Sequence, residues 1–308
     1  MFIGFDTSNY TTSVAAFDGC TVVQKKKLLE VKQGERGLRQ SEAVFQHTVN
    51  LPELTEALSL EFVDDLTVDG VGVSFRPRNI EGSYMPCFLV GEAAAKACAL
   101  GRCEVYKTSH QVGHILAALF SCEQLSMISK PFIAFHLSGG TTEALLVEPD
   151  NDEIIKTSII AQSLDLKAGQ AVDRAGVMLG LKFPCGAELD RLSRLSEKEF
   201  KIKPVMKGLD CSLSGIENKA QKMLIDNESQ CDIAAFVLKS VCASIDKMLE
   251  SIIEKYGKLP IVFSGGVSSN SMLREIITEK YNAFFAAPEF SCDNAAGTAI
   301  YAYLKHGK

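Results

Sequence analysis

A motif that occurs twice sets the strongest limit on this fold. Near the N-terminus a strand (Met1–Phe5), a polar turn rich in Thr and Ser (Asp6–Thr12) and a second strand (Ser13–Phe17) are followed by Asp18-Gly19 and a further strand over Thr21–Leu29. Roughly 130 residues later the theme restarts, with an apolar strand (Pro131–Leu137), the turn Ser138-Gly139-Gly140-Thr141-Thr142 and strands over Glu143–Val147 and Ile154–Ile160. Strands and helices alternate after each copy. In the first half a helical period runs through Ala43, Val44, His47, Leu51, Leu54 and Leu58, then come a strand at Gly70–Ser74, a helix over Phe88–Leu100 and a strand at Glu104–Tyr106. A helix is expected at His110–Ser121, and helices from Ala168 to Tyr256. The end reads as a strand (Pro260–Phe263), a helix (Met272–Lys280), a short strand (Ala283–Phe285) and a helix (Asn294–His306). The expectation is a duplicated α/β unit with ligand in the cleft between the copies. Its lobes are drawn at residues 1–107, closed by the C-terminal helix 294–308, and at 108–293, with a hinge near Lys107–Ser109.

Composition narrows the class. Apolar residues are 46% and charged residues 23%, which excludes a disordered or fibrous chain. The net charge of −6 argues against a protein that coats nucleic acid or binds anionic membrane, although Lys25, Lys26, Lys27, Lys32, Arg36 and Arg39 offer a local basic patch. The ten cysteines are scattered without Cys-x-x-Cys spacing, as expected of reduced, mostly core thiols. No apolar run reaches the roughly 18 residues of a membrane span, and the opening Phe2-Ile3-Gly4-Phe5-Asp6, without a basic region or a long apolar stretch, is not the pattern expected of a signal peptide. The expected location is the cytoplasm, without membrane partners.

The most informative segment is His110-Gln111-Val112-Gly113-His114. Residues four apart on a helix share a face, so two imidazoles can hold one cation; the bland alternative is a helix turn with two satisfied polar residues. Gln111 stands where a metallopeptidase needs its general-base Glu, which argues against a peptidase. Two neutral imidazoles need an anionic third ligand, and Asp293, ahead of the small residues Ala295-Ala296-Gly297, is the best candidate. A helix N-cap explains Asp293 equally well at this point.

Two glycine turns follow apolar strands. Ser138, Gly139, Gly140 and Thr141 offer N–H groups and hydroxyls to phosphate oxygens, and Gly265, Gly266 and Asn270 can lie against a nucleotide. Each can equally be a plain turn. Asp173 can reach a ribose or stand as a solvated helix residue. Glu188, after Pro184-Cys185-Gly186, can reach a ribose or an adenine edge, or merely open a surface helix.

Together these pieces resemble the tRNA threonylcarbamoyladenosine synthase family (TsaD, once described as O-sialoglycoprotein endopeptidases). The resemblance runs in order through Gly4–Ser13, His110 and His114, Ser138–Glu143, Gly169–Gly180, Pro184–Asp190, Ser212–Gly215, Ser264–Arg274 and Asp293–Ala299. It implies the actin-like ATPase/sugar-kinase/Hsp70 (ASKHA) fold, with two lobes around a ligand cleft. It implies a divalent metal, iron or zinc, on His110, His114 and Asp293. It also implies an adenine nucleotide, ATP or threonylcarbamoyl-AMP, on Ser138, Gly139, Gly140, Gly169, Asp173, Gly186 and Asn270. The implied reaction is transfer of threonylcarbamoyl to an adenosine of tRNA with release of AMP, and the implied partners are tRNA and a TsaB-like ASKHA protein. No side-chain nucleophile is needed, and none of the nucleophilic triads is evident.

The departures point to a divergent paralogue. Asn9-Tyr10-Thr11 replaces an acidic Asp-Glu pair, and Arg76–Tyr84 replaces a Gly-Pro-Gly loop. Gln170 replaces Glu, Ser214-Gly215-Ile216-Glu217 replaces Ser-Gly-Leu-Lys, and Asn50 stands for a second histidine after His47. Two other readings follow: a non-catalytic nucleotide-binding scaffold in a related complex, and a sugar-kinase-like phosphotransferase.

Overall fold

The structure is a computed structural model that describes residues 1–8, 10–31, 38–62 and 67–307. Asn9, Lys32 and Arg36 therefore lie outside the described residues. The chain begins with β1 (Phe2–Asp6), β2 (Thr11–Phe17), β3 (Val22–Leu28), α1 (Gln40–Ser59), β4 (Gly70–Arg76), α2 (Phe88–Ala99), β5 (Glu104–Ser109) and α3 (His110–Ser121). Next come β6 (Phe132–Leu137), β7 (Thr142–Asp150), β8 (Ile154–Gln162), α4 (Ala168–Met178), α5 (Gly186–Ser193), β9 (Val205–Lys207), β10 (Asp210–Ser212), α6 (Ser214–Ile225) and α7 (Gln230–Tyr256). The last elements are β11 (Ile261–Ser264), α8 (Ser271–Lys280), β12 (Ala283–Phe285), α9 (Pro288–Ser291) and α10 (Ala296–His306).

These elements form two units: Met1–Ile128 with Pro149–Thr157 and Cys292–Lys308, and Ser129–Glu148 with Ser158–Ser291. The first holds a five-stranded sheet in the order β3-β2-β1-β4-β5, the second one in the order β12-β11-β6-β7-β8. In the first, β1 pairs antiparallel with β2 and parallel with β4, which pairs parallel with β5. In the second, β6 pairs antiparallel with β7 and parallel with β11, which pairs parallel with β12. The same meander and the same two parallel additions thus occur twice, which is the duplication expected of an ASKHA fold.

β1 and β2 are buried on both faces, and alternate residues of each strand join the core of their unit. In the first unit Phe5, Val14, Val71 and Val73 join Leu51, Leu54 and Leu58 of α1 and Ala95 of α2 in one core. In the second, Phe135 and Leu137 of β6 and Phe263 of β11 pack with a long row of apolar residues from α7, and Phe135 stacks on Phe263 at 4.7 Å.

The unit boundaries differ from the lobes drawn from the sequence: residues 108–128, including α3, and Pro149–Thr157 group with the first unit. Lys107–Ser109, expected as a hinge, is the end of β5 and runs straight into α3. The reason is steric: α3 and α10 meet through glycine, since a Cβ on Gly297 would sit 1.8 Å from the carbonyl oxygen of Gly113. Helices dominate from Ala168 to Tyr256 as expected, and the same stretch also contains the short antiparallel pair β9–β10.

All ten cysteines are free thiols, four of them buried. Among the described residues no helix is long and apolar enough to cross a membrane.

Candidate metal centre

Ser109 ends β5 in an extended conformation and its hydroxyl accepts the N–H of Val112 at 3.2 Å, capping α3 at its first turn. The next residue is His110, so the cap fixes the height of its ring, and His114 stands one turn further along the same face. The two ring centroids are 4.3 Å apart and nearly perpendicular. His114 is buried and His110 half-buried.

Asp293 reaches these rings because α10 is narrow at its start. Cβ atoms on Gly4 and Gly72 would lie 2.4 Å and 1.8 Å from backbone oxygens of Ala295 and Thr298, so only glycine lets β1 and β4 approach this helix. Asp293 Oδ1 then lies 3.1 Å from His114 Nε2 and 3.5 Å from His110 Nε2. The carboxylate does not cap the helix. The N-cap position is Ala295, whose methyl group cannot cap, and Asn294 just ahead of it makes a local turn, its Oδ1 accepting the N–H of Ala296 at 3.1 Å.

Asp6, in the sequence only the first residue of a polar turn, has a partner that no local pattern reveals. Asp6 ends β1, is 1% exposed, and accepts a hydrogen bond from His110 Nδ1 at 2.8 Å. Its other oxygen accepts the N–H of Ser8 at 2.8 Å. A histidine whose Nδ1–H is held by a carboxylate has its Nε2 directed and made more basic, the usual arrangement behind a metal-binding imidazole. A buried acid at a strand end, in a chain with a histidine pair, was the available signal.

Charge here is held against burial. Burial opposes ionisation of Asp6, but the charge and hydrogen bond of His110, with a smaller contribution from Ser8, outweigh it and lower its pKa. Burial likewise opposes the His110 cation, yet Asp6 and Asp293 push its pKa up to about 10. Asp293 is held well below the usual carboxylate range, burial being outweighed by hydrogen bonds from His110 and His114. His110, His114 and Asp293 offer three ligand atoms within 4.8 Å of one another. Two imidazoles and one carboxylate are the donor set of a first-row divalent cation such as Fe²⁺ or Zn²⁺, and three protein ligands leave coordination positions open.

The remaining expected residues lie in the second unit. Ser138 makes a tight turn with Thr141: its N–H donates to the Thr141 carbonyl at 2.7 Å and its hydroxyl accepts the Thr141 N–H at 3.1 Å. Gly169, at the start of α4, donates to the Ser138 carbonyl at 3.2 Å, and a Cβ there would meet Gly139 N at 2.6 Å. Gly265 has φ +90° and lies against Leu137, its Cβ position 2.3 Å from the carbonyl oxygen. Three glycine-dependent segments therefore converge at the end of β6, leaving Gly139, Gly140 and Gly266 exposed.

Other side chains are already engaged. Asp173 accepts the Cys185 N–H at 2.9 Å and so holds the loop ahead of Gly186. Asn270 caps α8 through the Leu273 N–H at 2.9 Å. Glu188 is exposed and forked onto Arg191, with the closest contact at 2.6 Å. In the proposed basic patch, Lys27 pairs with Glu53 at 2.8 Å and Lys25 pairs with Glu61.

The model of the family described as TsaD, tRNA N6-adenosine threonylcarbamoyltransferase, matches residues 22–300. The chain belongs to this family. It is 31% identical to the tRNA N6-adenosine threonylcarbamoyltransferase of Thermosipho africanus, over 99% of this chain and 94% of that protein. It is 30% identical to the protein of the same name from Ligilactobacillus salivarius, over 82% of this chain and 76% of that one. Among solved structures it is similar to full-length HypF (TM-score 0.63, 12% identity, 99% of this chain and 55% of that one). It is similar also to component A of the Acidaminococcus fermentans (R)-2-hydroxyglutaryl-CoA dehydratase (TM-score 0.57, 17% identity, 100% and 99%). A ROK family glucokinase from Streptomyces griseus matches with a TM-score of 0.55 at 11% identity, over 98% and 99%. At these identities the likeness establishes the fold.

Proposed function

We propose that this chain is a metal-dependent threonylcarbamoyltransferase that moves the threonylcarbamoyl group of threonylcarbamoyl-AMP to an adenosine of tRNA. The observation that carries the reading is the His110–His114–Asp293 cluster with Asp6 behind it, in a chain whose named relatives are such transferases. His110 and His114 would hold an iron or zinc ion through their ring nitrogens and Asp293 through its carboxylate. When bound, the cation supplies Lewis-acid polarisation of the carbamoyl carbonyl.

The chain's own residues do the rest. Asp6 keeps the Nδ1 proton of His110 and so fixes the direction of Nε2. Asp293 contributes the negative charge that two neutral imidazoles lack. In the second unit, the exposed N–H groups of Gly139, Gly140 and Gly266, with the Ser138 and Thr141 hydroxyls, suit the oxygens of a nucleotide phosphate. Gly169 and Gly265 keep that surface open by taking no space, while Asp173 and Asn270 act by holding Gly186 and α8 in place. AMP is a competent leaving group, so positioning and carbonyl polarisation suffice without a covalent enzyme intermediate.

The test is direct. Purified protein should contain iron or zinc and release AMP from threonylcarbamoyl-AMP in the presence of tRNA, with threonylcarbamoyl appearing on adenosine by mass spectrometry of the digested RNA. His110→Ala and Asp293→Ala should lose both metal and AMP release. Metal-replete protein that releases no AMP would reject the transferase reading.

The scaffold reading draws on two observations. Thr11, in the turn where the family resemblance implies an acidic pair, is buried in β2, and Glu217, where it implies Lys, is paired with Arg174 at 3.0 Å. It predicts nucleotide binding without turnover.

A further inference from the structure

We propose that the segment Arg76–Tyr84 receives a single-stranded RNA acceptor beside the histidine pair, with Arg76 and Arg78 meeting backbone phosphates and Tyr84 stacking on a base. This rests on the transferase reading and adds to it the surface that recognises the acceptor.

The segment is fastened to the start of α3. Arg76 stands in register with Ser109, the residue before His110, and the Pro77 carbonyl accepts the Gln111 N–H at 3.1 Å. The segment returns into α2, whose Phe88 ring lies 6.3 Å from that of His110. It also has internal order. The Ser83 hydroxyl accepts the Arg78 N–H at 3.1 Å, the Ser83 N–H donates to the Ile80 carbonyl at 3.1 Å, and Gly82 takes φ +78°. A strand docking there meets a shaped surface whose ordering is already complete.

Its side chains have the character of a single-strand platform. Among the described residues no carboxylate lies within ion-pair distance of Arg76. Its guanidinium donates to Asn79, stacks 4.6 Å over Phe75, and keeps a buried Nε without an acceptor. Lys25 and Lys27, in the basic stretch of β3, are paired with Glu61 and Glu53. Tyr84 is 62% exposed and Ile80 55%, which leaves an aromatic face open within a few residues of two guanidinium groups. Arginine matches phosphate geometry, and an exposed ring accepts any base. On a chain of net charge −6, such a local exception is where RNA can settle. Glu81, exposed in the same segment, opposes it.

Fluorescence anisotropy with a labelled oligoadenylate RNA on the full chain tests this. Arg76→Gln with Arg78→Gln should weaken binding by about 10-fold or more and reduce the slope of log K against log salt by about 1.4, the value for two single-strand phosphate contacts. Tyr84→Ala should weaken binding by roughly 5- to 100-fold, Tyr84→Phe should bind as the parent does, and Glu81→Gln should tighten binding. If the double variant fails to fold, judged by thermal midpoint and metal content, Arg78→Gln alone and Tyr84→Ala carry the test. A parent protein that binds no RNA, or variants that bind it equally well, overturns the proposal. RNA binding that depends on these residues without AMP release from threonylcarbamoyl-AMP would reject the transferase reading and leave this surface standing. AMP release with indifferent variants would do the reverse.

Discussion

β1 and β6 open the same meander but finish it with different chemistry. β1 ends in Asp6, a buried carboxylate that grips His110 at 2.8 Å. β6 ends at Leu137, followed by Ser138 and Gly139, where the close approach of Gly169 and Gly265 brings main chain against main chain. A side chain at a strand end fixes one atom of one partner, which suits holding a ring for a cation. A glycine turn exposes a row of N–H dipoles without charge, which suits phosphate. The topology is the same in both copies, and the residues at the end of the first strand set the chemistry that each copy presents.

The comparison can be broken at either end. The largest effect is expected from Asp293→Ala, which removes the anionic ligand. Metal affinity by competition with a chelating indicator should fall by well over the ~100-fold typical of an outer partner. Gly265→Ala places a Cβ against the Leu137 carbonyl at positive φ, so chemical denaturation should show a loss of about 3 kcal/mol, overpacking and strain together, with metal ligands untouched. Metal lost in proportion to folded protein would leave the contrast between the units intact; metal lost from folded protein would break it.

A third effect depends on pH. His47 is fully buried against the Thr12 hydroxyl at 2.8 Å, and burial pushes its pKa down from 6.5 to about 4. The unfolded chain takes up this proton near pH 6.5, whereas the folded chain resists until about pH 4. This histidine's contribution is therefore complete above pH 6.5 and is lost as the pH falls towards 4, on the order of 3 kcal/mol. His47→Asn should flatten the stability profile over that window relative to the parent. Asp6→Asn should cost about 10- to 100-fold in metal affinity while leaving nucleotide binding by the second unit unchanged. The smallest change belongs to Glu217→Ala, below about 1 kcal/mol, because its pair with Arg174 is exposed.

Much of this architecture was legible in the chain. The 3.6-residue period located α3 at its observed bounds and put both histidines on one face, and the small residues after Asp293 explained how a distant helix can come close. What sequence could not supply was the contact between Asp6 and His110, separated by 104 residues and joined only through the β1–β4–β5 order of the sheet. For the same reason α3 was drawn with the second lobe: its partner, α10, lies far along the chain. Asn270 and Glu188 are of types that suit ligands, and each also has the local partner its type favours: Asn270 caps α8 and Glu188 pairs with an arginine three residues on. The β9–β10 pair escaped notice because strands of three residues carry too little alternation to register.

The glycine seams of α10 bear on how the molecule is made. Asp293 and α10 follow every residue of the second unit in the chain, yet they complete the first. During synthesis β1 and β4 emerge with Gly4 and Gly72 facing solvent and no helix to cover them, while the whole intervening unit is still being added. The His110–His114–Asp293 cluster is thus among the last features to form, and on the proposed reading a cation can load only once translation has passed residue 293. Ribosome-stalled chains ending before Cys292 should bind no cation, and chains released beyond α10 should.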